Sequence, residues 1–161
     1  MRPDSTRTGP CLLPDYRAVM EAFANYVSTQ RPLLQSPEDI ARLMRPVLTS
    51  CEQEQMHALL LDAKNGLIAD AMLTMGLADR TQIHPREAFR EAVRLSCSRL
   101  ILVHGHPSGD PTPSAQDIAA TRQLVEAGKI IGIEVLDHVV LGRRTETRVK
   151  DFVSFRQENL L

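Results

Sequence analysis

Apolar and polar positions repeat along this chain with two periods, helical and strand-like, and each change of period marks an element. Residues 1–13, with Pro3 and Pro10 among small polar residues, read as a loose arm. From Tyr16 the apolar positions Val19, Met20, Phe23, Tyr26 and Val27 recur at helical spacing, predicting a helix that ends before Arg31-Pro32. Ser36-Pro37-Glu38-Asp39 then reads as a helix start, with Ser36 as N-cap, Pro37 at the first helical position and acid in the first turn. Ile40, Leu43, Met44 and Leu48 form its apolar face, and Pro46 within that pattern predicts a kink or an early end. Residues 56–61 and 67–73 are strand-like. They are joined through Asp62-Ala63-Lys64-Asn65-Gly66, whose Asn-Gly pair is a strong hairpin signal. Residues 73–83 read as the strand end and a loop.

The second half alternates helix and strand. His84-Pro85-Arg86-Glu87 opens a helix whose buried side is supplied by Phe89, Ala92, Val93 and Leu95 or Cys97. His84 itself reads as a capping or solvated residue, with donation to a site as the alternative. Leu100-Ile101-Leu102-Val103 has the composition of a buried strand, and Ile118 to Val125 that of a helix, with Gly128 as its C-cap. Residues 130–136 and 138–142 give one long or two short strands, 143–148 a polar turn, and 149–161 a short final element. The order specifies one mixed α/β domain over 36–161, preceded by an arm and helix at 1–35.

Composition narrows the function classes. With 161 residues, 43% of them hydrophobic, the chain supports one well-buried core. Lysine and arginine number 19 against 20 acidic residues, a net charge of −1, which argues against autonomous nucleic-acid binding. No apolar run reaches the roughly 20 residues of a membrane span, and the first residues lack a secretory core. Cys11, Cys51 and Cys97 are odd in number with no Cys-x-x-Cys spacing, which suits a reducing compartment. The expectation is a cytoplasmic protein with no membrane partner, in which Cys97 is a small buried hydrophobe rather than a nucleophile.

The candidate chemistry lies in the loop between that buried strand and its following helix, residues 104–117. His104-Gly105-His106 leaves the strand, and the period of two aims both imidazoles to one side. Asp117, in the first turn of the helix, adds an oxygen. Two nitrogens and one oxygen, with a fourth position for water, make the pattern of a catalytic rather than a structural zinc. Ser114-x-x-Asp117 also reads as a helix cap, and the two readings are compatible because the cap holds the turn that presents Asp117. Neither His-Glu-x-x-His nor the Pro-Cys-x-x-Cys of zinc deaminases is present.

His104-Gly105-His106-Pro107, six residues, then Ser114-x-x-Asp117 resembles the JAMM motif of MPN-domain metallopeptidases. The wording around it is similar to the RadC branch. This covers Leu60-Leu61-Asp62-Ala63-Lys64-Asn65-Gly66-Leu67-Ile68, His84-Pro85-Arg86-Glu87-Ala88-Phe89-Arg90, the run 106–114, and Leu136-Asp137-His138. Branch members more often carry Asn at the position of Gly105, which is not a ligand. The resemblance implies a cytidine-deaminase-like MPN domain that binds Zn2+ through His104, His106 and Asp117. It further implies a general acid/base at Glu54, with Glu52 as the rival and Glu54 favoured by its spacing to Asp62. Ser114 would stabilise the oxyanion, and Asp137 and His138 would support the site from behind. The activity implied is hydrolysis of an amide bond in a peptide or protein, as a metallopeptidase or isopeptidase. A DNA-repair accessory protein and a catalytically silent MPN scaffold are the competing functions, and a homodimer stays open.

Overall fold

The computed structural model describes residues 14–49, 51–75 and 83–161; the expected arm at 1–13, Cys11 and most of the loop expected at 73–83 lie outside them. The elements are α1 (Pro14–Gln30), α2 (Pro37–Thr49), β1 (Gln55–Leu61), β2 (Leu67–Met75) and α3 (Pro85–Arg94). They continue with β3 (Arg99–Gly105), α4 (Ala115–Ile131), β4 (Glu134–Leu141) and β5 (Phe152–Ser154). One sheet runs in the order β2-β1-β3-β4-β5, with β3 and β4 parallel across the α4 crossover and every other pair antiparallel. This is the mixed α/β domain that the pattern predicts.

Helices cover both faces, which explains the unbroken apolar runs of the central strands. Leu59 and Leu61 of β1 and Ile101 and Val103 of β3 pack under α1 and α2, with Phe23, Val27, Met44 and Val47. Met56, Ala58 and Leu60, with Leu100 and Leu102, pack under α3 and α4, with Ala88, Phe89 and Leu124. The alternation of period two is intact; both of its faces are simply dry. In the hairpin, the Asp62 carboxylate accepts from the main-chain N–H groups of Lys64 and Gly66, and Asn65 takes φ 63°. These bonds hold the turn that Asn-Gly signalled.

Several expectations need correction. Pro46 does not end α2, which continues to Thr49 because Val47 and Leu48 beyond it are buried against the sheet. Gly128 is not a C-cap. It sits inside α4, and the cap is Gly132 at φ 83° with its N–H donated to Gly128 O. Residues 130 and 131 are therefore the last turn of a helix rather than a strand start, and Ile130 is 88% exposed. Val93, assigned to the buried side of α3, is exposed, as is Tyr26 at the helical spacing of α1; Phe23 and Val27 on α1, and Ala88, Phe89 and Ala92 on α3, carry the burial. Cys97 is buried, and that burial pushes its thiol up, away from a nucleophile. His84 caps α3 by accepting from Arg86 N–H.

Strand β4 carries an irregularity that bears on the site. Leu100 pairs with Val135 but Ile101 pairs with Asp137, so Leu136 is skipped. A one-residue bulge exchanges the faces of everything after it. His138 consequently lies beside Leu102 on the α4 side of the sheet, the side on which His104 also lies, rather than on the α2 side.

Candidate metal centre

Three elements meet at the C-terminal end of β3. Antiparallel pairing sets Gln55 opposite Gly105 and Met56 opposite His104, so the residue just before β1, Glu54, arrives beside the end of β3. His104 lies within β3, and His106 lies just past it, with its N–H donated to Leu141 O of the parallel neighbour. Asp117 comes from α4. Its position is fixed by a reciprocal cap: the Ser114 hydroxyl accepts from Asp117 N–H at 3.1 Å, and Asp117 Oδ2 accepts from Ser114 N–H at 2.7 Å.

One ligand atom from each of Glu54, His104, His106 and Asp117 lies within 4.8 Å of the others. His104 Nε2 is 2.8 Å from His106 Nε2, 3.4 Å from Asp117 Oδ1 and 3.7 Å from Glu54 Oε1. His106 Nε2 is 3.4 Å from Asp117 Oδ2. A tetrahedral ion with bonds of about 2.0–2.1 Å separates its ligand atoms by roughly 3.4 Å. The two His–Asp distances meet that spacing, and the His–His pair needs only to part slightly.

The protons on the rings point the same way. His106 Nδ1 lies 2.7 Å from Asp110 O, and a carbonyl can only accept, so Nδ1 carries hydrogen and Nε2 presents a lone pair when the ring is neutral. Burial holds the His104 imidazole down to about 4, against the charge of Asp117, so this ring is neutral at pH 7. Two imidazole nitrogens facing each other across 2.8 Å need a hydrogen between them, carried on Nε2 of one ring, or a metal ion that takes both lone pairs. Asp117 is 5% exposed; burial alone would raise its carboxyl, but His106, His104 and the Ser114 N–H outweigh that and keep it ionised. Neighbouring Asp117 raises His106 against the effect of burial. Glu54 is pushed up by burial and by Asp117, with His106 opposing. The donor set, two nitrogens and two carboxylates of which one is wholly fixed, suits a divalent transition metal.

The structure thus brings together Glu54, His104, His106 and Asp117, while Glu52 is exposed and outside the cluster. Ser114 stands at the adjoining N-cap, with its hydroxyl oxygen engaged by Asp117 N–H. Asp137 faces away from the centre. It accepts from His138 N–H, Arg156 N–H and the Ser154 hydroxyl, tying β4 to the turn after β5. His138 reaches the centre through His104, with Nε2 2.7 Å from His104 Nδ1 and Nδ1 2.6 Å from Thr121 Oγ1. Thr121 carries no sequence signal. It occurs as an ordinary helix residue, and only the bulge in β4 aims its partner at it.

The chain matches the family model described as "RadC-like JAB domain" over residues 34–160. It is 41% identical to a UPF0758 protein of Desulforamulus reducens over 145 residues, 88% of this chain and 64% of that protein. A UPF0758 protein of Desulfitobacterium hafniense is 39% identical over 140 residues, 85% of this chain and 62% of that protein. One from Syntrophomonas wolfei is 47% identical over 116 residues, 70% and 49% respectively. The chain spans less than two thirds of the length of each of these relatives.

Proposed function

We propose, on the premise that this chain belongs to the RadC-like JAB domain family, that it is a zinc-dependent hydrolase which cuts an amide bond in a peptide or protein. The observation that carries the reading is the convergence of Glu54, His104, His106 and Asp117 within 4.8 Å. His104, His106 and Asp117 would hold the ion, leaving Glu54 free for proton transfer. Zinc, when bound, supplies Lewis acidity that makes water a nucleophile at neutral pH. Glu54 does the proton work, taking a proton from the attacking water and delivering it to the departing amine. Its side chain is 31% exposed, enough to meet substrate, and burial pushes its carboxyl pKa up, the direction that suits a group which must both accept and release a proton. Ser114 uses an oxygen lone pair to cap α4, which leaves its O–H to donate to the oxyanion that forms on the attacked carbonyl. Free, buried Cys51 and Cys97 fit a reducing, cytoplasmic setting.

Zinc content and a peptide-library cleavage screen test this reading. Wild type takes up one equivalent of zinc, and His104→Ala and Asp117→Ala lose it. Glu54→Gln keeps zinc and loses at least about 10²-fold in cleavage rate. Zinc retained equally by both ligand variants overturns the assignment.

A further inference from the structure

We infer that Thr121 and His138 are positioning residues that lock His104 in its Nδ1-protonated tautomer, and so determine whether the centre accepts a metal. The inference rests on the zinc reading above for its consequence, and on hydrogen-bond geometry for its content.

Counting hydrogens from a group whose role is fixed gives the direction of the chain. The main-chain carbonyl of Asp117 can only accept, and Thr121 Oγ1 lies 2.6 Å from it, so the single hydroxyl hydrogen of Thr121 is spent there. His138 Nδ1, 2.6 Å from the same oxygen, must therefore be the donor. His138 is wholly buried, which disfavours a second proton, so its Nε2 is an acceptor. His104 Nδ1, 2.7 Å away, donates to it. His104 Nε2 is then left with its lone pair, aimed at His106, Asp117 and Glu54.

The chain has a mirror-image alternative. If Thr121 donated to His138 Nδ1, His138 would donate to His104 Nδ1, and His104 would turn an N–H toward the cluster. An N–H in that place cannot ligate and repels a cation. The bond from Thr121 to the Asp117 carbonyl is what separates the two states. The arrangement is well supported: Thr121 is 1% exposed, Phe155 stacks on the His138 ring with centroids 4.5 Å apart, and the β4 bulge supplies the facing. The bonds also close a ring, since they begin at the backbone of Asp117 and end at a nitrogen 3.4 Å from the Asp117 side chain. Two of the three proposed ligands are thereby set by one small network.

Replacing the hydroxyl by a methyl at constant shape tests the idea. In Thr121→Val the His138 Nδ1 faces a methyl group, and a hydrogen there would be a buried donor with no acceptor. His138 then keeps its proton on Nε2, and His104 presents N–H to the centre. Zinc affinity, read by competition with a chromophoric chelator, is expected to fall about 10- to 100-fold, and Thr121→Ser is expected to restore it. Long-range 1H–15N spectra of the zinc-free chain report the tautomers themselves. They should show Nδ1–H at His104 and His138 in the wild type, and Nε2–H at His138 in Thr121→Val. Equal zinc affinity of wild type and Thr121→Val, or an Nε2–H tautomer at His138 in the wild type, overturns the inference. A wild-type chain that takes up no zinc overturns the functional reading instead, and the zinc-free spectra then decide the tautomer assignment alone.

Discussion

Arg45 reaches Asp151 through two bonds, Nε to Oδ2 at 2.7 Å and Nη2 to Oδ1 at 3.0 Å, and so ties α2 to the segment entering β5. Burial raises the Asp151 carboxyl, but Arg45 and the more distant Arg144 outweigh it and hold the group below the usual carboxylate range. The folded pKa lies below the unfolded value of about 3.9, so the stabilisation is complete above that value and drains away as pH falls through the lower, folded one. Arg45→Ala is expected to cost about 2 kcal/mol at pH 7, less than a fully buried pair because Arg45 is a third exposed. Urea unfolding at pH 7 and pH 3 checks this, since the gap between variant and wild type should narrow at the lower pH. Pairs of this kind, separated by about a hundred positions, leave no trace in a sequence. The short string His104 to Asp117 does, because strand period and helix capping both act within a few residues. Thr121 is silent for a third reason: its role depends on a bulge in another strand.

Among the elements, α4 shows how a glycine can be misread. Gly128 and Gly132 both stand near the end of the helical pattern, and only their surroundings separate them. A Cβ on Gly128 would stand 2.5 Å from Ile133 O and 3.2 Å from the Phe89 ring, so the residue is small in order to let α4 approach β4 and α3. Gly132 has open space around it and a φ of 83°, so it is there for its backbone. Gly128→Ala is expected to destabilise by about 1–3 kcal/mol although alanine is the better helix former, because crowding exceeds the propensity gain of roughly 1 kcal/mol. Gly132→Ala should cost about 1 kcal/mol through φ alone. Thermal melts of the two variants settle the ranking. Helices and the hairpin were legible because their signals are local, in caps, periodicity and Asn-Gly. The positions of their ends were not, since Pro46 and Gly128 are tolerated or required by packing that local rules do not contain.

For the molecule as a whole, the centre is a junction: the entry to β1 brings Glu54, β3 and the residue just past it bring the two imidazoles, and α4 brings Asp117. An ion that binds only the folded chain stabilises all of these contacts together. At a hundredfold excess over its dissociation constant the gain is about 2.7 kcal/mol, or a rise in Tm of about 5–10 °C for a chain of this size. Zinc should produce that rise, a chelator should reverse it, and His106→Ala should show none. Fold class could be read from the order of elements. The meeting of Glu54 with residues some fifty positions later could not be derived from spacing and came through the resemblance to RadC proteins. Among the described residues, no helix is long and apolar enough to cross a membrane.

Asp117 serves two masters, since one carboxylate both faces the centre and closes the cap of α4. Under the proposed function, selection on chemistry and selection on folding therefore act on this residue together, whereas Glu54 and His106 answer chiefly to the chemistry. In a lineage released from the proposed hydrolase task, Glu54 and His106 should drift first, and the aspartate should persist with its serine. A surviving Ser-x-x-Asp is thus a record of the fold, and a diagnosis of activity should be made from the glutamate and the second histidine.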